Sequence, residues 1–469
     1  MRARLAAVLF ALCLLDASTS SGQDAASAPA GSRPDSLTRS SLGVAAFAAA
    51  REDLGPTTDP PWNPPHAIAR RRGWEQAILL PQRIATYPLS ALGYVADRSL
   101  LFAEQTAVVD KLIYVTHILP QRTGFSVSPA RLGDRTGIGA QAQGMMTFLP
   151  GKLRTTVTAA HSASTLHYHE TRLSVSGLGS LDYVYGWRPR DRFYGLGMDS
   201  PLDHASDYAT QVEELRGTLA YAWNLRKDTG KPRTAVAGWM GPRATMTRDG
   251  REPAKPSVEE VFPQIAAPLL DHRLEHLVYG VRFATDWRTG APHWGEGWRF
   301  LVESERHDLP VQWLALRTAR GDVAQFTRTT LEFETGRSFM RDPRTLRMLV
   351  RVVDQGVTSG RDRMLLADYA TLGGRAGLGG FEGGRFHDLD LILGRVQYVF
   401  PLQRRLEMEL HAESGGTFPD VWRATRLDRL EQSAGLSVRG RLATHPIGAI
   451  GLDVSHEGTR IRFSLGSPE

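Results

Sequence analysis

Beyond about residue 124, apolar side chains occupy every second position and polar or charged ones fill the gaps. That is the period of a strand with two unlike faces. At 405–413, Leu406, Met408, Leu410 and Ala412 alternate with Arg405, Glu407, Glu409, His411 and Glu413. At 430–442, Leu430, Ala434, Leu436, Val438 and Leu442 oppose Glu431, Ser433, Ser437, Arg439 and Arg441. The last run sets Ile461, Phe463 and Leu465 against Arg460, Arg462 and Ser464. Short turn signals such as Leu149-Pro150-Gly151-Lys152 and Gly177-Leu178-Gly179 separate many of the runs. The pattern predicts strands at 137–148, 153–165, 166–177, 180–194, 208–224, 233–247, 276–288, 297–308, 311–318, 323–337, 344–355, 388–402, 404–414, 430–443, 447–456 and 459–466.

Upstream the period changes. Leu101, Val108, Leu112, Val115 and Leu119 recur at helical spacing between Pro88 and Pro120, which predicts an amphipathic helix over 90–118 whose apolar face packs on protein or, as the alternative, lies at the membrane surface. Residues 23–73 are rich in Ala, Ser, Pro and Thr and read as a flexible leader. The chain opens with Arg2 and Arg4, an apolar run from Leu5 to Leu15 and then small polar residues. This is the layout of a secretory signal peptide, too short to span a bilayer, with cleavage expected between Ala17 and Gln23. The expected organisation is a signal peptide at 1–22, a leader at 23–73, a helical periplasmic or luminal segment at 74–124, and one β-domain at 125–469. The single cysteine, Cys13, lies inside the signal, and Leu12 before it argues against a lipoprotein site. An exported chain without thiols is stabilised by something other than disulfides, and hydrogen-bonded sheet closure suits it.

Two architectures use alternating strands: a soluble sandwich or barrel, and a membrane barrel. The number of strands favours the second, because roughly 16 half-apolar strands in a soluble protein would all need partners for their apolar faces. In a membrane barrel those faces meet lipid, and Glu407, Glu409, Arg439 and Arg441 line a wet interior. Closure satisfies the backbone amides that lipid cannot. A negative mean hydropathy fits half-polar strands. Tyr183, Tyr185, Trp187, Tyr221, Trp223, Trp294 and Trp298 fall near predicted strand ends, where aromatic girdles form. The fold class expected is all-β: a transmembrane antiparallel β-barrel of about 16 strands with a short N-terminal helical segment. Outer-membrane lipids are its expected surroundings. The net charge of +6 is dispersed, which argues against a nucleic-acid partner.

One stretch departs from simple alternation: Thr371 to Leu402, whose first half is dense in glycine and interleaved with Arg375, Phe381, Arg385 and Phe386. Glycine at this density permits close backbone approach and positive φ angles, and a strand follows it. The stretch resembles the lid-loop region of the BamA/TamA family of outer-membrane barrels, also called bacterial surface antigens. There a Gly-rich loop with an L-R-G-[FY] motif folds into the lumen and is followed by a strand ending Y-x-F-P. Here Leu378-Gly379-Gly380-Phe381 stands at the motif and Gln397-Tyr398-Val399-Phe400-Pro401 at the strand end. Arg192-Phe193-Tyr194-Gly195-Leu196-Gly197 is similar to the family's R-F-Y-G-x-G segment. Asp286-Trp287-Arg288 with Pro292 and Gly295 is similar to its D-x-R…P…G hairpin. The similarity extends over about 125–466, including the C-terminal pair of strands around Gly458.

The resemblance implies a non-enzymatic role in membrane-protein assembly or in transport, with outer-membrane or exported client chains as partners. It implies a lid built on Gly374, Arg375, Leu378, Gly379, Gly380, Phe381 and Arg385. Three departures qualify it. Position 379 is Gly where the family has the arginine that pairs with acidic wall residues; Arg375 or Arg385 is the candidate for that part, with Glu407, Glu409 or Glu413 as partner, and the alternative is that the glycines simply make a compact loop. The chain lacks the terminal aromatic residue, for which Phe463 is the substitute. Residues 24–124 lack the strands for one βααββ periplasmic (POTRA) module, the part that receives clients.

A lumen-active hydrolase and a passive pore are the alternatives. No G-x-S-x-G elbow, H-E-x-x-H or P-loop is present, and no cofactor or metal is expected. His167 and His169 share a strand face with no third ligand evident. Asp199-Ser200 with Asp203-His204 looks superficially like a hydrolase cluster but reads as turn formers. The run Glu303, Glu305, Arg306, His307, Asp308 reads as polar barrel wall.

Overall fold

Which way the side chains of the sheet point decides the architecture. The computed structural model describes five positions between Leu79 and Tyr87, and then residues 125–465 except 131–138, 149–152, 163–168, 177–178, 226–231, 251, 253–254, 267–269, 289–295, 309–323, 340–343, 404–405 and 442–445. The strands are β1 (Phe125–Ala130), β2 (Gly139–Phe148), β3 (Leu153–Ser162), β4 (His169–Ser176), β5 (Ser180–Phe193), β6 (Ser206–Leu225), β7 (Pro232–Asp249), β8 (Arg273–Asp286) and β9 (Gly297–Asp308). They continue with β10 (Gln325–Phe339), β11 (Arg344–Ser359), β12 (Ala370–Leu372), β13 (Phe386–Asp388), β14 (Asp390–Gln403), β15 (Leu406–Phe418), β16 (Glu431–Arg441), β17 (Pro446–Ser455) and β18 (Gly458–Leu465). Sixteen of them form one antiparallel sheet in chain order, with β11 paired directly to β14; β12 and β13 make a separate two-stranded hairpin.

On β15 and β16, Leu410, Ala412, Gln432 and Ala434 lie on the exposed face, while Glu407, His411, Glu413, Ser433 and Arg439 are buried on the other. On β17 and β18 the exposed residues are Ile450, Leu452, Val454, Ile461 and Phe463, and Asp453 is fully buried. Greasy residues outside and charges inside invert a soluble protein, and they define a transmembrane β-barrel. The inward charges are matched by register. Arg395 stands directly across from Glu413, Glu407 from Arg439, and Arg282 from Glu303, and all three pairs form ion pairs. Such opposite-charge neighbours on one face stabilise the ladder. They also fix register, because a one-residue slip would turn every arginine toward lipid.

The start of β1, the end of β18 and most short turns lie at one end of the sheet; the long connections 194–205, 250–272, 360–389 and 419–430 lie at the other, together with the two-residue β17–β18 turn. In outer-membrane barrels the short turns face the periplasm. Tall strands such as β6, of 20 residues, and β7, of 18, exceed the roughly 9–11 residues needed to cross and project beyond the bilayer on the long-loop side. At the short-turn end aromatic rings stack: Tyr221 on Trp223, Trp287 on Trp298, and Phe339 on Tyr398.

The expected strands largely coincide with those found. β1 lies upstream of the expected strands: it has only six residues, and Pro129 interrupts its ladder donors. The expected strand at 311–318 lies outside the described residues, and β9 pairs directly with β10. The predicted 90–118 helix, the 1–22 signal and the 23–73 leader also lie outside them. The five described positions from 79 to 87 are helical, and Gln82 Oε1 accepts hydrogen bonds from Arg344 and Tyr398 at the short-turn mouth (2.7 and 3.3 Å). Among the described residues no βααββ module is seen.

Candidate functional site

Between β11 and β14 the chain leaves the wall at Gly360 and returns at Leu389. The excursion passes through a turn at Leu366–Asp368 and then the β12–β13 hairpin, in which Ala370 faces Asp388 and Leu372 faces Phe386. At its tip the glycines let the chain double back. Gly373 N–H donates to Gly377 O (2.8 Å) and Gly374 N–H to Phe381 O (3.1 Å). Gly373 has φ +114°, and a Cβ there would sit 2.1 Å from Glu382 O, so only glycine fits. Leu378 has φ +60°, a strained value for leucine; the burial of its side chain beside Phe381 and Leu393 holds it there. Leu372, Leu378, Phe381 and Phe386 form an apolar cluster with Val353, Leu391 and Leu393. The excursion is therefore a folded lid with its own core.

Polar contacts fasten the lid to opposite sides of the wall. From the β5 end, Arg192 donates to Glu382 Oε1 and the Tyr194 hydroxyl to Glu382 Oε2, each at 2.5 Å. Gly197 N–H donates to His387 O at 2.7 Å. The segment that resembles R-F-Y-G-x-G thus grips the lid. From the last strands, the Ser455 hydroxyl donates to Gly380 O (2.9 Å), and Gly379 N–H donates to Glu413 Oε2 (2.6 Å). Phe381 lies edge-on to His456. Close approach explains the glycine at 380, where a Cβ would lie 2.7 Å from the Val454 backbone.

The pairing expected of Arg385 is corrected. Arg385 does not bond Glu407, Glu409 or Glu413. It donates Nε–H to Glu457 Oε1 (2.7 Å) in the β17–β18 turn and a second N–H to Ser200 O (2.6 Å), between the rings of Tyr194 and Phe386. The three wall acids are served by wall cations. Arg395 donates to Glu413 (2.5 Å) and Arg439 to Glu409 (3.2 Å); Arg439 also stands 3.6 Å from Glu407. Glu413 is nonetheless a lid anchor through Gly379 N–H. The absent motif arginine has a physical counterpart. A Cβ on Gly379 would be 2.9 Å from Asp453 Oδ2, and that buried carboxylate is paired with Arg462 of β18 and with His411 of β15 (2.8 Å). The cation comes from the last strand instead of from the lid. Of the Arg375 side chain nothing is described.

Glu382, Ser455, Glu457, Asp453 and Arg462 belong to the site without a motif that marks them. Glu382 carried one usable signal, as the single acid inside a glycine-rich loop; Ser455, Asp453 and Arg462 are ordinary members of alternating runs, and Glu457 is a turn residue. The hydrolase-like residues have separate local partners: Ser200 Oγ donates to Gly197 O (2.7 Å), His204 meets the Phe262 ring, and Asp199 faces Arg429. His167 and the side chain of His169 lie outside the described residues.

The lid and the neighbouring loop carry shifted acids. Burial pushes the Asp388 carboxyl above the usual range, only partly offset by the Leu389 N–H. In the 250–272 loop burial acts the same way on Glu252, but hydrogen bonds from Arg190 and Arg192 outweigh it and hold that carboxyl low.

No family model matches the sequence, and no curated protein matches it. Solved structures do match. The crystal structure of BamA from Haemophilus ducreyi lacking POTRA domains 1–3 aligns with a TM-score of 0.50 at 12% identity, covering 74% of this chain and 70% of that one. CdiB from Acinetobacter baumannii (11% identity, 70% and 57% covered, TM-score 0.43) and CdiB from Escherichia coli (12%, 73% and 62%, TM-score 0.46) also match. The fold is that of a BamA-like outer-membrane β-barrel.

Proposed function

We propose that this barrel assists the assembly of strand-forming outer-membrane chains, or their transport across the membrane, without enzymatic chemistry. The supporting observation is the seat of the lid. Its tip is bonded to Ser455 and Arg385 to Glu457, so the plug of the bore is fastened to the last hairpin. That hairpin ends the sheet. Among the described residues no ladder joins β18 to β1, and the two are short, 8 and 6 residues. An edge strand presents unpaired backbone groups, and an incoming strand can add to it. Displacing the lid releases the contacts of the β17–β18 turn and frees that edge, which couples opening of the bore to loosening of the seam. Clients are extended, alternating chains, and lipid surrounds the rest.

Two measurements test the reading. Depletion of the protein is expected to lower the level of other outer-membrane proteins or of an exported chain; unchanged levels of both remove the assembly and transport roles. In planar bilayers, deleting 373–385 is expected to turn an occluded barrel into a conducting one. Equal conductance with and without the lid would leave a passive pore.

A further inference from the structure

At the long-loop end, where β8, β9 and the root of the lid meet, three side chains that no lid contact explains converge. His276 on β8, His307 on β9 and Asp368 in the turn before β12 are all buried, and each offers a ligand atom within 4.8 Å of the others. His307 is fully buried; its Nε2 is 2.7 Å from Glu305 Oε1, and its Nδ1 has no hydrogen-bond partner. Asp368 is 1% exposed, and its Oδ1 likewise has no hydrogen-bond partner. Its backbone carbonyl is clamped by Arg328 and by Gln355 Nε2 (2.9 Å), which fixes the turn that presents the carboxylate. His276 Nε2 lies 3.3 Å from Ala324 O, and the two imidazoles meet edge to face at 5.5 Å beside Phe326.

We propose that His276, His307 and Asp368 bind one divalent transition-metal ion of the zinc, cobalt or nickel type, which pins the lid root to the β8–β9 wall. His307 Nδ1 and Asp368 Oδ1 are buried acceptors without a hydrogen bond, a costly state, and one metal ion would satisfy both. Metal-bound histidines characteristically give their second ring nitrogen to a carboxylate, as His307 does to Glu305. Donor atoms about 2.0–2.1 Å from a tetrahedral ion stand about 3.3 Å apart, so closing the site asks each to move inward by at most about 0.9 Å. The surrounding charges select the ion. Arg243 stands 3.6 Å from Asp368 Oδ1, Arg328 holds the Asp368 carbonyl, and Glu305 faces His307 with Arg216 3.9 Å beyond it. With two guanidiniums facing the site, a calcium or magnesium ion held by charge alone is disfavoured. An ion with affinity for imidazole is not. Three protein ligands leave a fourth position open. The ligands come from sequence positions far apart, which is why no spacing motif announces them.

The test uses the full exported chain, purified without a histidine tag, folded in detergent and checked by heat-modifiable mobility. Titrated with Co2+, the wild type is expected to take up one equivalent and to give the strong visible absorption of a four-coordinate site, abolished by a chelator. His276→Ala and His307→Ala should lose the signal, Glu305→Gln should weaken binding about 10–100-fold, and His456→Ala, on the exposed β17–β18 turn, should leave it unchanged. If the histidine variants do not fold, Asp368→Asn, outside the wall, provides the comparison and should bind at least about tenfold more weakly. Absence of a spectrum in the folded wild type, its survival in a folded His276→Ala/His307→Ala double variant, or an unchanged Co2+ affinity in Asp368→Asn would overturn the proposal and leave the cluster as a charge network.

Discussion

Removing the Arg385 side chain is the sharpest test of how the lid is held. Arg385 and Glu457 are each 5% exposed and joined at 2.7 Å, and the same guanidinium donates to Ser200 O and lies over Tyr194 and Phe386. Truncating one member of a buried pair costs about 3–5 kcal/mol, much of it the charge left behind. Each 1.4 kcal/mol is tenfold in a population, so Arg385→Ala should raise the lid-released fraction by about two orders of magnitude or more. Single-channel open probability in planar bilayers reads that fraction, and urea unfolding in detergent reads whether the wall itself has weakened. The partner is identified by double-mutant cycles. Arg385→Ala with Glu457→Ala should be less than additive by about 0.5–3 kcal/mol. Arg385→Ala with Glu409→Ala, which share no bond, should add within about 0.5 kcal/mol. An unchanged open probability in Arg385→Ala, or stronger coupling to Glu409 than to Glu457, would refute the lid-to-turn anchor.

Other expectations follow from the same contacts. Gly380→Ala puts a methyl against the Val454 backbone and should weaken lid seating by about 1–3 kcal/mol, seen as raised conductance with an unchanged unfolding midpoint. Ile461→Arg, on the lipid face, should destabilise the barrel by up to about 2–4 kcal/mol, less if it lies near an interface; unfolding from liposomes measures it. Glu252, held low by Arg190 and Arg192, anchors the 250–272 loop. Its contribution is present above the ordinary glutamate range and is lost as pH falls through the lowered value. Protease nicking of that loop should therefore rise on acidification in the wild type and be less dependent on pH in Glu252→Gln. Arg462→Ala strips Asp453 of its arginine, and gel mobility should shift to the unfolded form at a lower temperature.

The wall was readable because lipid enforces a strict period: Ile461, Phe463, Arg460 and Arg462 fall on the faces their chemistry demands. The lid was recognisable as a loop from its glycines, but its partners were not. Arg385 had several acids within plausible reach, and alternation places Glu407, Glu409 and Glu413 all inward without saying how high in the bore each sits, while Glu457 stands in a turn that alternation does not orient. That depends on the stagger of the strands, which no single run records. The Arg395–Glu413 pair shows the difficulty, since opposition across β14 and β15 had already claimed the acid offered to the lid. Likewise His276, His307 and Asp368 meet only because β8, β9 and the lid root share one rim.

β11 and β14 are immediate neighbours, so the wall has no need of the excursion between them. Hairpins joined by short turns form early, whereas contacts distant in sequence wait for loop closure. The lid's anchors are of the second kind: Arg192 is 190 residues from Glu382, and Arg385 is 72 from Glu457. On that ordering a newly inserted copy passes through an interval with its strands paired and its bore unstoppered. The leak this admits scales with the rate of synthesis rather than with the number of finished copies.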